Sequence, residues 1–429
     1  MARPKKTSSS GYVPKKIQSL EGALDILSET DELWDAVLRR FSKTSRTYGF
    51  SRVETPLFED ANLYQNFYKH HTSYEESILP VELLGKTAAI RPHILPSLLR
   101  CYYQHKRLEQ RPVSKWSYSG MVAKKNGNKL ESDYEFGFEI FGAFNHLSEA
   151  QVISAVWEFL LSLGLTELTL EINNIGQEDC QTQYQDSLQS FLQPKKYQLC
   201  DNCNEHLNNR VLNIFRCDNL DCQALLAEAP TILDFLDQAS HKHFTSILEA
   251  LDELAIPYQL NPFYVGPPGV SKTNVVIKHK HKGQTEVIGE GGYHDDLIQN
   301  LCGKNYCCFG FYGSLALIRR LLEQNKVVVD RENRSDVFLV PLGELASKKS
   351  LRLFHDLTSE KISVYDHFGD SGVKNQLKQA QTFNAPIALI IGQKEAMDER
   401  VILRDVKSGM QEIISYDKIV EEVKKRLGR

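Results

Sequence analysis

The sequence predicts an α+β domain, long helices on a mainly antiparallel sheet, that carries a small insertion and is followed by a compact α/β domain. Three observations carry this expectation. First, residues 113–142, VSKWSYSGMVAKKNGNKLESDYEFGFEIFG, alternate apolar and polar side chains on either side of a segment rich in Lys, Asn and Gly, the pattern of two antiparallel strands joined by a long exposed loop. Second, apolar residues at helical spacing flank this hairpin on both sides. Third, from Ser335 onward strands alternate with helices, which implies right-handed crossovers and a largely parallel sheet. At 429 residues the chain exceeds one ordinary core. The expected division is a disordered basic arm over 1–17, a main domain in two parts (18–176 and 255–330), an insertion over 177–254, and an α/β domain over 335–429.

Taken in order, Glu32–Tyr48 reads as a helix with Leu33, Val37, Leu38 and Phe41 on its apolar side. Arg52–Phe58 reads as a strand ended by its proline, Thr87–Ile90 as a short strand, and the residues after His93 as a helix through Leu95, Leu98, Leu99 and Tyr102. After the hairpin come a helix over Leu147–Leu163 and a strand over Leu168–Ile172. A helical stretch over Pro230–Leu254 carries an apolar stripe, Ile232, Leu233, Leu236, Phe244, Ile247, Leu248 and Leu251, that reads as packing.

Composition narrows the class of function. Hydrophobic residues make up 41% and charged ones 25%, as in a globular chain, and no apolar run approaches a membrane span. The N-terminal Arg3, Lys5, Lys6, Lys15 and Lys16 lack an apolar core behind them, so they do not form a secretory signal, and a cytoplasmic protein is expected. A net charge of −4 gives no general attraction to nucleic acid. RNA contact would have to come from local patches such as the arm or the lysines near 272–282.

Two groups of side chains point to chemistry. On the second hairpin strand Glu135, Gly137 and Glu139 share one face, opposite Phe136, Phe138 and Ile140. The alternation alone describes a solvated outer face; the alternative is a pocket floor in which the glycine leaves room for a ligand. Four of the nine cysteines fall in two close pairs, Cys200-x-x-Cys203 and Cys217-x-x-x-x-Cys222. Such spacing suits a structural zinc ion, or leaves four reduced thiols and no metal.

The order LEGALDIL (20–27), RVETPLFED (52–60), AAIRP (88–92), YSG (118–120), EFGFEIFGAF (135–144) and LTLEINNIG (168–176) resembles histidyl-tRNA synthetase. The likeness runs on through DCQALLAEAPTILDFLD to the C-terminus. It implies a class II aminoacyl-tRNA synthetase core, ATP and magnesium as cofactors, tRNA as partner, and a homodimer formed through RVETPLFED. It further implies an anticodon-binding domain at the C-terminus, with VPLGE, SGVKNQLKQA and IIGQKE as its markers and Lys374, Gln376 and Lys378 as RNA contacts. A solvated helix face would account for those three equally. The regulatory paralogue that activates ATP phosphoribosyltransferase has a similar core but usually lacks such a domain.

Set against the family pattern, the site residues depart. Where the family has Arg-Gly-Leu-Asp-Tyr-Tyr after Asn-Pro, this chain reads FYVGPPGVSKTNVVI, so Gly266 stands near the arginine and Val270 and Ser271 near the tyrosines. Gly-Gly-Arg-Tyr-Asp has become Gly291-Gly292-Tyr293-His294-Asp295, leaving Tyr293 and His294 as candidate substrate contacts. In the third class II motif Leu317 replaces the arginine, and Arg319 and Arg320 follow two and three positions later. Two residues turn a helical side chain by about 200°, so neither is expected to inherit the role without rewinding. Lys124 is the best match to the arginine that binds the α-phosphate, without its planar fork. His93 stands where a glutamate meets the substrate ammonium, and Glu139 and Glu135, the latter in place of a glutamine, remain of the polar pocket. Two readings follow: a tRNA- or ligand-binding paralogue without catalysis, or a working histidine–tRNA ligase that uses Lys124, Glu135, Glu139 and a displaced Arg319 or Arg320.

Overall fold

The computed structural model describes residues 17–23, 25–67, 76–111, 113–143, 145–267, 269–303, 306–327, 336–366 and 372–429. The basic arm expected over 1–17 thus lies outside the described residues except at its last position. The chain divides into two compact units, Met1–Val329 and Asp330–Arg429.

The first unit contains β1 (Ser51–Arg52), β2 (Phe58–Asp60), β3 (Leu79–Leu83), β4 (Lys86–Ile90), β5 (Ser114–Asn126), β6 (Lys129–Phe141), β7 (Leu168–Asn174), β8 (Tyr258–Leu260), β9 (Ser271–His281), β10 (Gln284–Tyr293) and β11 (Cys308–Ser314). Eight of these form one sheet in the order β1-β5-β6-β11-β10-β9-β7-β8, antiparallel except at its two ends, and β2-β4-β3 form a smaller one. The strand expected over Arg52–Phe58 is therefore two strands in different sheets. Pro56 cannot donate to a ladder, and between the two strands the buried Arg91 guanidinium donates to the Thr55 carbonyl (2.7 Å) and, on β5, to the Met121 carbonyl (2.8 Å).

The central hairpin differs from expectation at its tip. The Lys- and Asn-rich segment continues the ladder, pairing Lys124 with Glu131 and Asn126 with Lys129, so that only Gly127 and Asn128 make the turn. Opposite charges across the strands favour that pairing. On the back face Phe136, Phe138 and Ile140 enter a core completed by Trp34, Val37 and Phe41 of helix Ser28–Thr47 and by helices His146–Ser162, Gln238–Glu253 and Leu315–Gln324. On the front face, helix Ile94–Gln104 and Leu297 and Ile298 of helix Asp295–Cys302 cover the sheet. Both faces of β6 are covered from Glu135 on, and the solvated outer face that the alternation describes is not found.

Tyr293 is placed on the back face, which corrects its reading as a substrate contact. It lies three positions beyond the front-facing Glu290, and an odd step along a strand reverses the side. Its hydroxyl donates to buried Glu149 (2.5 Å), which also meets His243 Nε2 (2.6 Å). Tyr293→Phe should therefore cost about 1–3 kcal/mol in denaturant unfolding, the penalty for a buried carboxylate losing a donor. An unchanged midpoint would show that this hydroxyl has no structural role.

Residues 178–235 form short helices around a core of Tyr184, Leu188, Leu192, Ile214, Leu226 and Ile232. The stripe assigned to the insertion divides: Phe244, Ile247 and Leu251 pack into the main core, so helix Gln238–Glu253 belongs with the sheet.

In the second unit, β12 (Val337–Pro341), β13 (Val364–Asp366), β14 (Ile387–Ile391), β15 (Arg400–Asp405) and β16 (Gln411–Ser415) form a sheet ordered β13-β12-β14-β15-β16. The first three are parallel, as the strand–helix alternation predicts, and the last two antiparallel. β16 lay hidden in the sequence because Gln411 and Glu412 interrupt its apolar pattern.

Candidate functional site

The front face of β6 carries a chain of buried polar groups. Glu135 is committed on both oxygens: Oε1 accepts from the Ile94 amide at the start of helix Ile94–Gln104 (2.9 Å), and Oε2 lies 2.6 Å from His93 Nδ1. A carboxylate at a helix N-terminus is favourably placed in its own right. His93 and Glu135, both candidate substrate contacts, thus face one another, and the His93 ring also packs on Tyr312 at 4.2 Å.

Glu139, four residues further on, is fully buried. Gly310 sits opposite it on β11, where a β-carbon would fall 1.6 Å from Glu139 Oε2. The space that Gly137 leaves is not open to a ligand, because the Tyr118 ring fills it, with Cζ 2.3 Å from where a β-carbon would stand. The Tyr118 hydroxyl and the Cys308 thiol donate to Glu139 (3.4 and 3.3 Å), and His294 Nε2 is 3.9 Å away. Burial holds the Glu139 carboxyl well above the ordinary range; the two donors oppose that rise and the charge of Glu135 adds to it. Burial, aided by His93, lowers His294 to about 3. His294 is therefore neutral near pH 7, and burial favours the neutral form of Glu139, which is a poor partner for an ammonium group.

Beside these groups lies a cleft of about 720 Å³. Lys124, Arg319 and Arg320 all line it together with Leu317. Although displaced by two and three positions from Leu317, both arginines border the cleft, which is wide enough for that face of the helix to line it. Each cation is already paired: Lys124 with Glu131 (3.5 Å), Arg319 with Glu323 (2.7 Å) and Arg320 with Glu286 (2.7 Å). The same cleft is lined by Glu131, Asp133, Glu135, Glu290 and Glu323, five acidic side chains to three basic ones. Such a lining repels a polyphosphate unless metal ions or rearranged arginines offset it.

Glu290, Tyr264, Tyr312, Tyr118 and Cys308 are the members of the site that sequence reasoning missed. Glu290 Oε1 and Oε2 accept from the hydroxyls of Tyr312 (3.1 Å) and Tyr264 (3.0 Å). The Glu that precedes Gly291-Gly292 and the Tyr in YSG were signals within motifs already in view. Gly266 has a left-handed φ of +68°. Elsewhere, Cys200, Cys203, Cys217 and Cys222 bring their sulfurs within 4.8 Å of one another. On helix Val373–Thr382 of the second unit, Lys374 and Lys378 are exposed, whereas Gln376 is buried and donates to the Pro341 carbonyl (3.2 Å). Gln376 braces the helix against β12, which corrects its reading as an RNA contact.

Among the described residues no helix is long and apolar enough to cross a membrane. The histidyl-tRNA synthetase family model matches residues 22–318, and an anticodon binding domain model matches 336–426. The histidine–tRNA ligase of Dehalococcoides mccartyi is 29% identical over 416 residues, covering 96% of this chain and 100% of that protein. That of Caldicellulosiruptor bescii is 29% identical over 420 residues, covering 96% and 99%. In fold, the chain is similar to the apo histidyl-tRNA synthetase of S. aureus, with a TM-score of 0.79 at 24% identity over 95% of this chain and 100% of that one. It is also similar to an ATP phosphoribosyltransferase regulatory subunit/histidyl-tRNA synthetase from Bacillus halodurans C, with a TM-score of 0.64 at 14% identity over 88% and 99%. With a class II synthetase core in its first unit and an anticodon-binding domain in its second, the chain belongs to the histidyl-tRNA synthetase family.

Proposed function

We propose that this family member binds tRNA, or a related ligand, without activating histidine. The pairing of all three cations of the cleft with carboxylates, in a lining where acidic side chains outnumber basic ones, carries the reading. The arginines that the family resemblance implies are replaced by Gly266, Tyr293 and Leu317, and Tyr293 is occupied by Glu149. The hairpin tip, which in the family embraces ATP, is a two-residue turn. The carboxylates of the lining would suit magnesium, but the paired cations do not fit the polyphosphate of ATP, and both cofactors belong to the competing reading, a working histidine–tRNA ligase. Pyrophosphate exchange into ATP separates the two. Exposed Lys374 and Lys378 supply RNA contacts to backbone phosphates, for which lysine suffices.

The protein acts in the cytoplasm as a homodimer through the segment around Pro56. Leu57 and Phe58 are exposed there, and β2 is an open edge of its small sheet, the kind of edge that a second copy covers. Sedimentation at micromolar concentration is expected to give a species of twice the 49.0 kDa chain mass; the monomer alone would reject the interface. The four clustered cysteines hold a structural zinc ion.

A further inference from the structure

We propose that this zinc centre does more than fold the insertion: through Phe215 and Arg216, the two residues before the ligand Cys217, it positions residues 261–266, the segment that carries Tyr264 to Glu290. The inference rests on the metal reading above and adds a coupling to the site.

The fit of the metal comes first. Cys200 Sγ and Cys217 Sγ are 3.7 Å apart, and all four sulfurs lie within 4.8 Å of one another. A tetrahedral zinc with bonds of about 2.3 Å spaces its sulfurs by about 3.8 Å. A disulfide would need about 2.0 Å, and all four thiols are free. The ligands come from separate local elements: Cys200 caps the helix that carries Cys203, Cys217 ends the turn Val211–Arg216, and Cys222 lies on helix Leu220–Leu226. The Cys200 amide donates to Cys222 Sγ (3.3 Å) and the Asn219 amide to Cys217 Sγ (3.4 Å), as outer-sphere donors to metal-bound thiolates do.

From this cluster two contacts reach the run that joins β8 to β9. The Phe215 ring stacks on Phe263 at 5.6 Å, and the Arg216 guanidinium donates to the Gly266 carbonyl at 2.5 Å. Arg216 is held from behind by the Asn213 side chain (3.2 Å). Between the two clamped residues sits Tyr264, the donor to Glu290. Residues 261–266 form no strand or helix in the run that joins β8 to β9; their course is fixed by these side-chain contacts, by the Asn261 turn, and by β7, where Asn173 Nδ2 donates to the Tyr264 carbonyl (2.8 Å) and Glu171 accepts from Asn261 Nδ2 (2.6 Å). Loss of the metal would free Cys217, and with it both clamps.

Hydrogen–deuterium exchange on the full chain, with metal analysis of the same sample, tests this. One equivalent of zinc is expected, falling by at least half in Cys200→Ser/Cys203→Ser. Chelation should speed exchange about tenfold in peptides covering 200–222 and 258–270, leave β6 and β11 unchanged, and be reversed by added zinc. Arg216→Met should keep its zinc yet show the faster exchange at 258–270. Less than a tenth of an equivalent of zinc would overturn both the metal reading and the coupling. Full zinc, with exchange at 258–270 indifferent to chelation and to Arg216→Met, would overturn the coupling alone. Faster exchange spread over β6 and β11 would also overturn it, because the metal would then be holding the whole unit.

Discussion

Supplied with ATP, magnesium and histidine, the purified protein is expected to exchange pyrophosphate into ATP at less than about one-thousandth of the rate of an ordinary histidyl-tRNA synthetase assayed beside it. Adenylation brings a carboxylate against a polyphosphate and passes through a more crowded anionic transition state. Removing a single preorganised charged donor typically lowers the rate about 100- to 1,000-fold. On the reading proposed above, Gly266, Tyr293 and Leu317 take three such places, and even strongly non-additive losses would leave little turnover. The cations that remain would have to leave carboxylate partners 2.7–3.5 Å away before they could serve a phosphate. Binding of tRNA should survive, and it should weaken in Lys374→Glu/Lys378→Glu. Exchange within about tenfold of the control, lost in Arg319→Ala or Arg320→Ala, would establish the ligase reading instead. A tenfold deficit is only about 1.4 kcal/mol, too small for so many absent charges.

The sequence foretold most of the scaffold because apolar period and turn residues determine it locally. Helix Ser28–Thr47, both strands of the hairpin and the strand–helix alternation of the second unit all lie within a few residues of where the pattern put them. What failed depended on pairing across the sheet, some of it local and some between segments distant in the chain. Lys124, Lys125 and Asn126 look like a loop in isolation and become strand because Glu131, Leu130 and Lys129 stand across from them. Glu139 alternates with phenylalanines as a solvent-facing acid would, and it is buried by Tyr118, Cys308 and His294, which come from three other segments. The face that Tyr293 takes follows from period 2 once Glu290 is known to point forward, yet nothing in EGGYHDD says which face is forward. The sequence offers the missing arginines only as an expectation set by the family resemblance. That the surviving cations are neutralised by neighbouring acids required distances.

The largest expected effect on stability comes from His294. Its neutral ring is fully buried, facing His93 and Glu139, and neither ring nitrogen has a hydrogen-bond partner among the described residues. Burial has lowered it from 6.5 to about 3. A depressed histidine contributes its full stability above the unfolded value, where both states are neutral. As pH falls below 6.5 the unfolded chain takes up a proton that the folded chain refuses, and about 1.4 kcal/mol is lost per pH unit until about pH 3. Glu139 has the opposite sign: its raised carboxyl favours folding below the ordinary carboxylate range and opposes it as pH rises. The two contributions oppose one another as pH falls from 6.5 to 5, so each is read from its own variant as a difference from the wild-type slope. His294→Leu should flatten the fall of stability with acid by about 2 kcal/mol over that interval, and Glu139→Gln should instead raise stability near pH 7. Trp34, Trp116 and Trp157, all the tryptophans of the chain, lie in the first unit, so their fluorescence in a urea series at each pH follows the unfolding of that unit. A constant offset from lost packing in His294→Leu shifts every pH equally and leaves the slope readable. If His294→Leu kept the wild-type slope, the ring would have to be titrating normally, with water or a ligand reaching it inside the pocket.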